Sequence, residues 1–124
     1  MNQARPERIL GIDPGLNVTG YGLISVASSS VMEAGVIRIP SRQRMEERLG
    51  ELYDSILEVV DSLQPSCLAV EDLYSHYERP RTAIIMGHAR GVILLAARQR
   101  QLAVHSYAAT KIKSVMTGNG RASK

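Results

Sequence analysis

Two acidic residues, Asp13 and Glu71, end short apolar stretches at positions where an aliphatic residue would be expected. Asp13 follows Ile9–Ile12, and Glu71 follows Cys67–Val70. Carboxylate oxygens are the ligands that Mg²⁺ prefers, and a cation that also holds a phosphate needs several of them. The two acids therefore predict a metal site for phosphate chemistry, provided that the fold brings the two strand ends together.

The sequence after Asp13 allows a simpler interpretation of that residue. Pro14 and Gly15 predict a type II turn, with Gly15 at a positive φ. Asp is favoured at the first position of a turn because its side chain bonds the local backbone. Asp13 on this view only caps its own turn, and a role in catalysis requires the second acid.

Three strands are predicted before the first helix. The first ends at Asp13, and Val18–Val26 is the returning strand of a hairpin. Val31–Ile39 is the third strand, which ends before Pro40 because proline cannot continue a hydrogen-bonded ladder.

Ser41 is the predicted N-cap of the first helix. Apolar residues then recur every three or four positions, which is the spacing of a core-facing amphipathic helix. The helix should end before Pro65. The apolar positions are Met45, Leu49, Leu52, Ile56, Val60 and Leu63.

The stretch Ser66–Asp72 predicts a central strand, since it is almost continuously apolar. A helix at Arg81–Arg100 and a fifth strand at Leu102–His105 follow it. A right-handed crossover through the first helix would make the fourth strand parallel to the first. Ligands bind at the carboxyl ends of such strands, so Asp13 and Glu71 are expected to converge there.

Gly87 and Gly91 lie one turn apart in the second predicted helix. Glycine costs about 1 kcal/mol relative to alanine in a helix, so each glycine should serve a close backbone approach. The partner is either the sheet of this domain or a second copy of the chain.

The composition indicates one globular domain over residues 1–124, with 44% hydrophobic residues. The chain has no apolar run long enough to span a membrane, and its first residues are polar. Its only cysteine, Cys67, is expected to be a small buried residue. We therefore expect a cytoplasmic protein without membrane contact.

Charge is distributed unevenly along the chain. Residues 1–74 hold 6 basic and 11 acidic residues, whereas residues 75–124 hold 9 basic and 1 acidic residue. A basic half of this kind favours a polyanionic partner such as nucleic acid, because phosphate neutralisation supplies most of the sequence-independent affinity. A solvated basic face without a partner is the alternative.

Several ordered motifs together resemble the bacterial RuvC-type Holliday-junction resolvases, which have the ribonuclease-H-like fold. The resemblance runs from about Arg8 to Lys124. It implies an α/β fold with a five-stranded mixed sheet, in which a three-strand antiparallel meander is joined by two parallel strands and flanked by helices. The motifs are Gly11-Ile12-Asp13-Pro14-Gly15, Thr19-Gly20-Tyr21-Gly22, Ala69-Val70-Glu71, Gly87-His88-Ala89-Arg90-Gly91 and Tyr107-Ala108-Ala109 before Lys113.

The resemblance also implies the catalytic residues. In that family four carboxylates bind two divalent cations, usually Mg²⁺, with Mn²⁺ as the alternative. Asp13 and Glu71 match the first two acids. The other two lie on a C-terminal helix that this sequence does not reach, so the chain is expected to be incomplete for catalysis, as a fragment or, alternatively, as a natural truncated form.

The expected DNA-binding residues follow from the same resemblance. Tyr74 matches the aromatic residue that contacts junction bases, and Lys113 and Lys124 match basic residues near the scissile phosphate. Arg79 belongs to a loop that departs from the commoner family pattern, and we include it among the DNA-binding residues. His88 replaces the commoner glutamine and is expected to be a polar helix position.

The predicted function is symmetric, metal-dependent cleavage of four-way DNA junctions in recombination and repair. Two nicks require two active sites, so a two-fold homodimer is expected, and the resemblance adds a branch-migration motor complex as partner. A non-catalytic nucleic-acid-binding module of the same fold is the main alternative. A phosphate-binding domain of the actin and sugar-kinase class is the third hypothesis, which depends on one short motif.

Overall fold

The structure is a computed structural model that describes residues 7–72 and 79–107. The order of strands and helices in this part is the order predicted from the sequence, with boundaries that differ by only a few residues. The elements are β1 (Arg8–Asp13), β2 (Val18–Ser25), β3 (Ser30–Arg38), α1 (Met45–Leu63), β4 (Cys67–Glu71), α2 (Pro80–Gln99) and β5 (Ala103–Tyr107).

The five strands form one mixed sheet in the order β3-β2-β1-β4-β5. Strands β1, β2 and β3 are an antiparallel meander. Strand β4 runs parallel to β1 on its other side, and β5 runs parallel to β4. The predicted α/β fold with a five-stranded mixed sheet is confirmed, and β1 lies at its centre.

Both helices contribute to a core on one face of the sheet. Leu10 and Ile12 of β1 and Leu68 and Val70 of β4 are fully buried there. Alternation along the strands directs these side chains to the same face. They form one apolar cluster with helix residues that include Leu52, Ile56 and Val60 of α1 and Ala89, Ile93, Ala96 and Ala97 of α2.

The start of α1 corrects the prediction of Ser41 as its N-cap. The helix begins at Met45, and Arg44 is the capping residue. The Arg44 backbone N–H donates to Oε1 of Glu47 at 3.2 Å, so a glutamate inside the first turn satisfies the flanking N–H. The helix thus starts where its apolar row starts.

One side of α2 is uncovered in the described part of the chain. Ile84 and Leu95 are 60% and 50% exposed. A Cβ atom placed on Gly87 or Gly91 would meet nothing within 4 Å, which excludes close packing of either glycine on the sheet of this domain. Neither α1 nor α2 is long and apolar enough to cross a membrane.

Candidate active site

The parallel pairing of β1 with β4 determines where the two predicted acids lie. Ile12 is the partner of Val70 in this ladder. Asp13 and Glu71 are the next residues of the two strands and the last residue of each. Adjacent strands lie about 4.8 Å apart, so both acids stand side by side at the carboxyl edge of the sheet.

The two acids also share one face of the sheet. Ile12 and Val70 face the helices and are fully buried, so alternation directs Asp13 and Glu71 to the opposite face. Both are half-buried. Gly20 is the partner of Asp13 on β2, and it has no side chain that could cover the Asp13 carboxylate from that strand.

A threonine, not Asp13, closes the turn after β1. The Thr19 hydroxyl donates to the Gly15 carbonyl oxygen at 2.5 Å and accepts from the Gly15 N–H at 3.1 Å. The Asp13 carboxylate has no hydrogen-bond or ion-pair partner within residues 7–72 and 79–107. The structure therefore does not support the interpretation of Asp13 as a cap of its own turn.

The turn itself differs from the predicted type II turn. The φ of Gly15 lies outside the left-handed region that this turn would require. Glycine is needed for a steric reason instead, since a Cβ at this position would overlap the Val18 carbonyl oxygen. Glycine is therefore required here by the close approach of the Gly15 and Val18 backbones, and not by the positive φ that the Pro-Gly pair predicted.

Arg90 of α2 connects the carboxyl ends of β4 and β5. Its Nε donates to the Glu71 carbonyl oxygen at 3.3 Å, and its Nη2 donates to Oγ of Ser106 at 2.7 Å. Nη2 also lies 3.9 Å from the Asp72 carboxylate. The side chain is only 21% exposed, so these contacts hold a largely enclosed guanidinium.

The residue types at this edge fit a hard divalent cation. Asp13 and Glu71 offer carboxylate oxygens, the donors that Mg²⁺ and Mn²⁺ select. Two neighbouring carboxylates repel each other unless a cation or a proton lies between them. Residues 7–72 and 79–107 contain no group of three or more His, Cys, Asp or Glu side chains arranged around one metal position, so the described part supplies a partial ligand set.

Among the predicted DNA-binding residues, the structure describes only Arg79. It is exposed and caps the start of α2, where its carbonyl oxygen accepts from the Thr82 N–H at 3.0 Å. Tyr74, Lys113 and Lys124 lie outside the described residues.

Two further sequence interpretations are confirmed. Cys67 is buried, with 7% exposure, and burial raises the pKa of its thiol. A buried thiol with a raised pKa is a poor nucleophile. His88 is an exposed polar position of α2.

The sheet order, with an acid at the adjacent ends of β1 and β4, defines a ribonuclease-H-like fold. Two solved structures share it. A structure of T. thermophilus RuvC in complex with Holliday junction substrate superposes with a TM-score of 0.77 at 27% identity, over 87% of this chain and 68% of that chain. Another Thermus thermophilus RuvC structure gives a TM-score of 0.74 at 27% identity, over 94% and 73%.

Residues 9–124 match the family model described as "Crossover junction endodeoxyribonuclease RuvC". A protein of that name from Rhodopirellula baltica is 52% identical over 94% of this chain and 66% of its own length. Another from Halorhodospira halophila is 40% identical over 94% and 70%. The chain belongs to the RuvC family of endodeoxyribonucleases, and it spans about two thirds of the length of these relatives.

Two residues of the site were not singled out by sequence reasoning. Thr19 and Arg90 stand in quoted motifs, but the sequence assigned neither a role. A hydroxyl four residues after a glycine was a weak signal for Thr19. No local signal exists for Arg90, because its partners Glu71 and Ser106 become neighbours only when α2 packs on the sheet.

Proposed function

We propose that this chain forms the part of a four-way junction endonuclease that carries two of its metal-binding acids, Asp13 and Glu71. The parallel register of β1 and β4 is the observation that carries this proposal, because it sets both acids at one sheet edge and on one face. Family membership favours this function over the non-catalytic module and over the kinase-like phosphate-binding domain.

Asp13 and Glu71 would hold Mg²⁺, or Mn²⁺ in its place, with two cations per active site when the remaining acids are present. Bound cations of this kind, about 4 Å apart, activate water and stabilise charge on the attacking and leaving oxygens of a phosphodiester. This chain would supply the positions from which the Asp13 and Glu71 carboxylates bind the cations. Both acids end strands that are hydrogen-bonded within the sheet, so their backbone positions are held by neighbouring strands.

Four-way junction DNA is the proposed substrate, since a RuvC relative of the same fold has been solved with a Holliday junction. Arg79 is exposed at the start of α2, at the connection that follows the carboxyl end of β4. We place phosphate contacts there and assign Tyr74 to junction bases. Lys113 and Lys124 complete the proposed DNA-binding residues near the scissile phosphate.

The proposed assembly is a two-fold dimer through α2. Ile84, His88, Gly91 and Leu95 recur every three or four residues and are all exposed. A helix with two large exposed apolar residues beside open glycines suits an identical helix, because small residues let backbones approach closely. Two-fold symmetry would supply the two active sites that paired nicks require.

The cellular setting follows from this proposed substrate. A junction endonuclease acts where chromosomal DNA is located, which in a bacterium is the cytoplasm. A branch-migration motor complex is the partner that would deliver junctions to the dimer.

The test is nicking of a synthetic four-way junction by the full-length protein in the presence of Mg²⁺. Asp13→Asn and Glu71→Gln should each abolish nicking, because each removes a ligand charge, while both variants still bind the junction. Asp54→Asn is the matched control, since it neutralises an exposed carboxylate of α1 and should nick like the unmodified protein. Retained nicking by Asp13→Asn would falsify the ligand assignment.

A further inference from the structure

Arg90 is the only guanidinium in residues 7–72 and 79–107 that bonds the carbonyl of one of the two proposed metal ligands. The bond joins Arg90 Nε to the Glu71 carbonyl oxygen at 3.3 Å. The Glu71 carboxylate faces away from the helices, whereas α2 packs on the helix side. Arg90 therefore holds the backbone of Glu71 from the side opposite to its side chain.

The same guanidinium fixes the neighbouring strand. Ser106 is the partner of Val70 in the β4–β5 ladder, and its Oγ accepts from Arg90 Nη2 at 2.7 Å. Arg90 thus bonds one atom of β4 and one atom of β5 from a single planar group. A lysine, with a single ammonium group, cannot reproduce this fork.

The charge of Arg90 is compatible with a cation site nearby. Nη2 lies 3.9 Å from the Asp72 carboxylate, which is 55% exposed. Asp72 offsets part of the positive charge, and the guanidinium bonds a carbonyl oxygen of Glu71 and not its carboxylate in the described contacts. Arg90 can therefore fix the backbone of Glu71 while the Glu71 carboxylate keeps its proposed role as a metal ligand.

We propose that Arg90 is a positioning residue for the metal site, which fixes the end of β4 so that the Glu71 carboxylate stays beside Asp13. This inference rests on the proposed function in one respect, that Glu71 is a metal ligand. Groups that orient metal ligands typically affect metal affinity or activity by about 10- to 100-fold. Arg90 also places α2, the proposed dimer helix, in direct contact with the active site.

The test measures Mn²⁺ binding by calorimetry, since Mn²⁺ takes the same oxygen ligands as Mg²⁺. Arg90→Lys should raise the Kd for Mn²⁺ by about 10-fold or more, while the Kd for junction DNA changes less than about twofold. The matched control is Arg100→Lys, which makes the same exchange at the residue that follows α2 and disrupts the Asp61 ion pair instead. It should leave both constants unchanged.

The outcomes separate this inference from the proposed function. If the unmodified protein binds Mn²⁺, Asp13→Asn weakens binding and Arg90→Lys does not, only the role of Arg90 is overturned. If the unmodified protein does not bind Mn²⁺, or Asp13→Asn binds as well as it does, the ligand assignment fails and the role of Arg90 fails with it.

Ser106→Ala is the second variant, for use where Arg90→Lys does not fold. It removes one acceptor of Arg90 and should raise the Kd for Mn²⁺ by a smaller factor, and an unchanged Kd would overturn the inference.

Discussion

The buried hydroxyl of Thr19 bonds both the N–H and the carbonyl oxygen of Gly15, at 3.1 and 2.5 Å. Thr19 is the only fully buried polar residue in the described part of the chain. The two bonds close the connection between Asp13 and β2 without using the Asp13 carboxylate. A neutral side chain therefore shapes the turn, and the acid that begins it remains available to a ligand.

Replacing Thr19 by valine should destabilise the protein by about 1–3 kcal/mol, because valine has nearly the same shape but no hydroxyl and so leaves two partly buried backbone groups of Gly15 unpaired. Thr19→Ser keeps the hydroxyl and should cost less. Urea unfolding at neutral pH measures both variants. Equal stability of Thr19→Val and the unmodified protein would show that the two bonds contribute nothing.

Substitution by alanine should have opposite effects on stability at Gly15 and at Gly50. Gly15→Ala should destabilise the fold by about 1–3 kcal/mol, because the new Cβ would overlap the Val18 carbonyl oxygen and force the turn to shift. Gly50→Ala should stabilise it by about 0.5–1 kcal/mol, since Gly50 is an exposed position of α1 with open space around it. Paired denaturation curves compare the two. A stabilising Gly15→Ala would contradict the steric argument.

A charge on the exposed face of α2 should separate the proposed dimer. Ile84→Glu or Leu95→Glu would bury like charges across a two-fold interface, which shifts the protein to monomers in sedimentation or light scattering. Met32→Glu is the matched control, because Met32 is also exposed, at 54%, but lies on β3. Unmodified protein that is monomeric at working concentration would exclude the dimer, and a dimeric Ile84→Glu, Leu95→Glu double variant would exclude this interface.

The Asp61–Arg100 pair should make stability fall in acid. Arg100 donates to both oxygens of Asp61, at 2.7 and 3.0 Å, and these hydrogen bonds lower the pKa of the Asp61 carboxyl. Because the folded pKa lies below the unfolded one, the unfolded state binds more protons, and the contribution present above about pH 5 is lost as pH falls through about pH 4 and below.

The measurement for this pair is the unfolding midpoint in urea between pH 6 and pH 3. Asp61→Asn should show a smaller loss of stability over this interval than the unmodified protein. Asp54→Asn, which removes a carboxylate of the same helix without disrupting the pair, should follow the unmodified protein. Parallel curves for all three proteins would rule out a contribution of the pair.

The sheet and its two acidic strand ends could be predicted because they depend on strong local patterns. Asp13 and Glu71 each end an apolar run, and Pro40 and Pro65 mark where neighbouring elements stop. Chain order and the handedness of crossovers then restrict the topology to few arrangements. The register that aligns Ile12 with Val70 confirms the predicted adjacency of β1 and β4.

The errors concern contacts between residues three positions apart, which residue-type preferences do not decide. Ser41 has the residue type of an N-cap, but Glu47 satisfies the N–H of Arg44 and α1 starts at Met45. Gly15 has the residue type for a positive φ, but the Val18 backbone is what requires glycine there. The residue preferences were ordinary in both cases, and only the distances between atoms within each local turn could correct them.

The position of β1 between β2 and β4 also determines when the acids meet. During synthesis on the ribosome, Asp13 emerges with the meander, whereas Glu71 follows only after the whole of α1 has been made. Until the crossover has folded back and β4 has docked, the chain presents isolated carboxylates that cannot share an ion. A nascent or partly denatured copy therefore lacks the paired acids on which the proposed metal site depends.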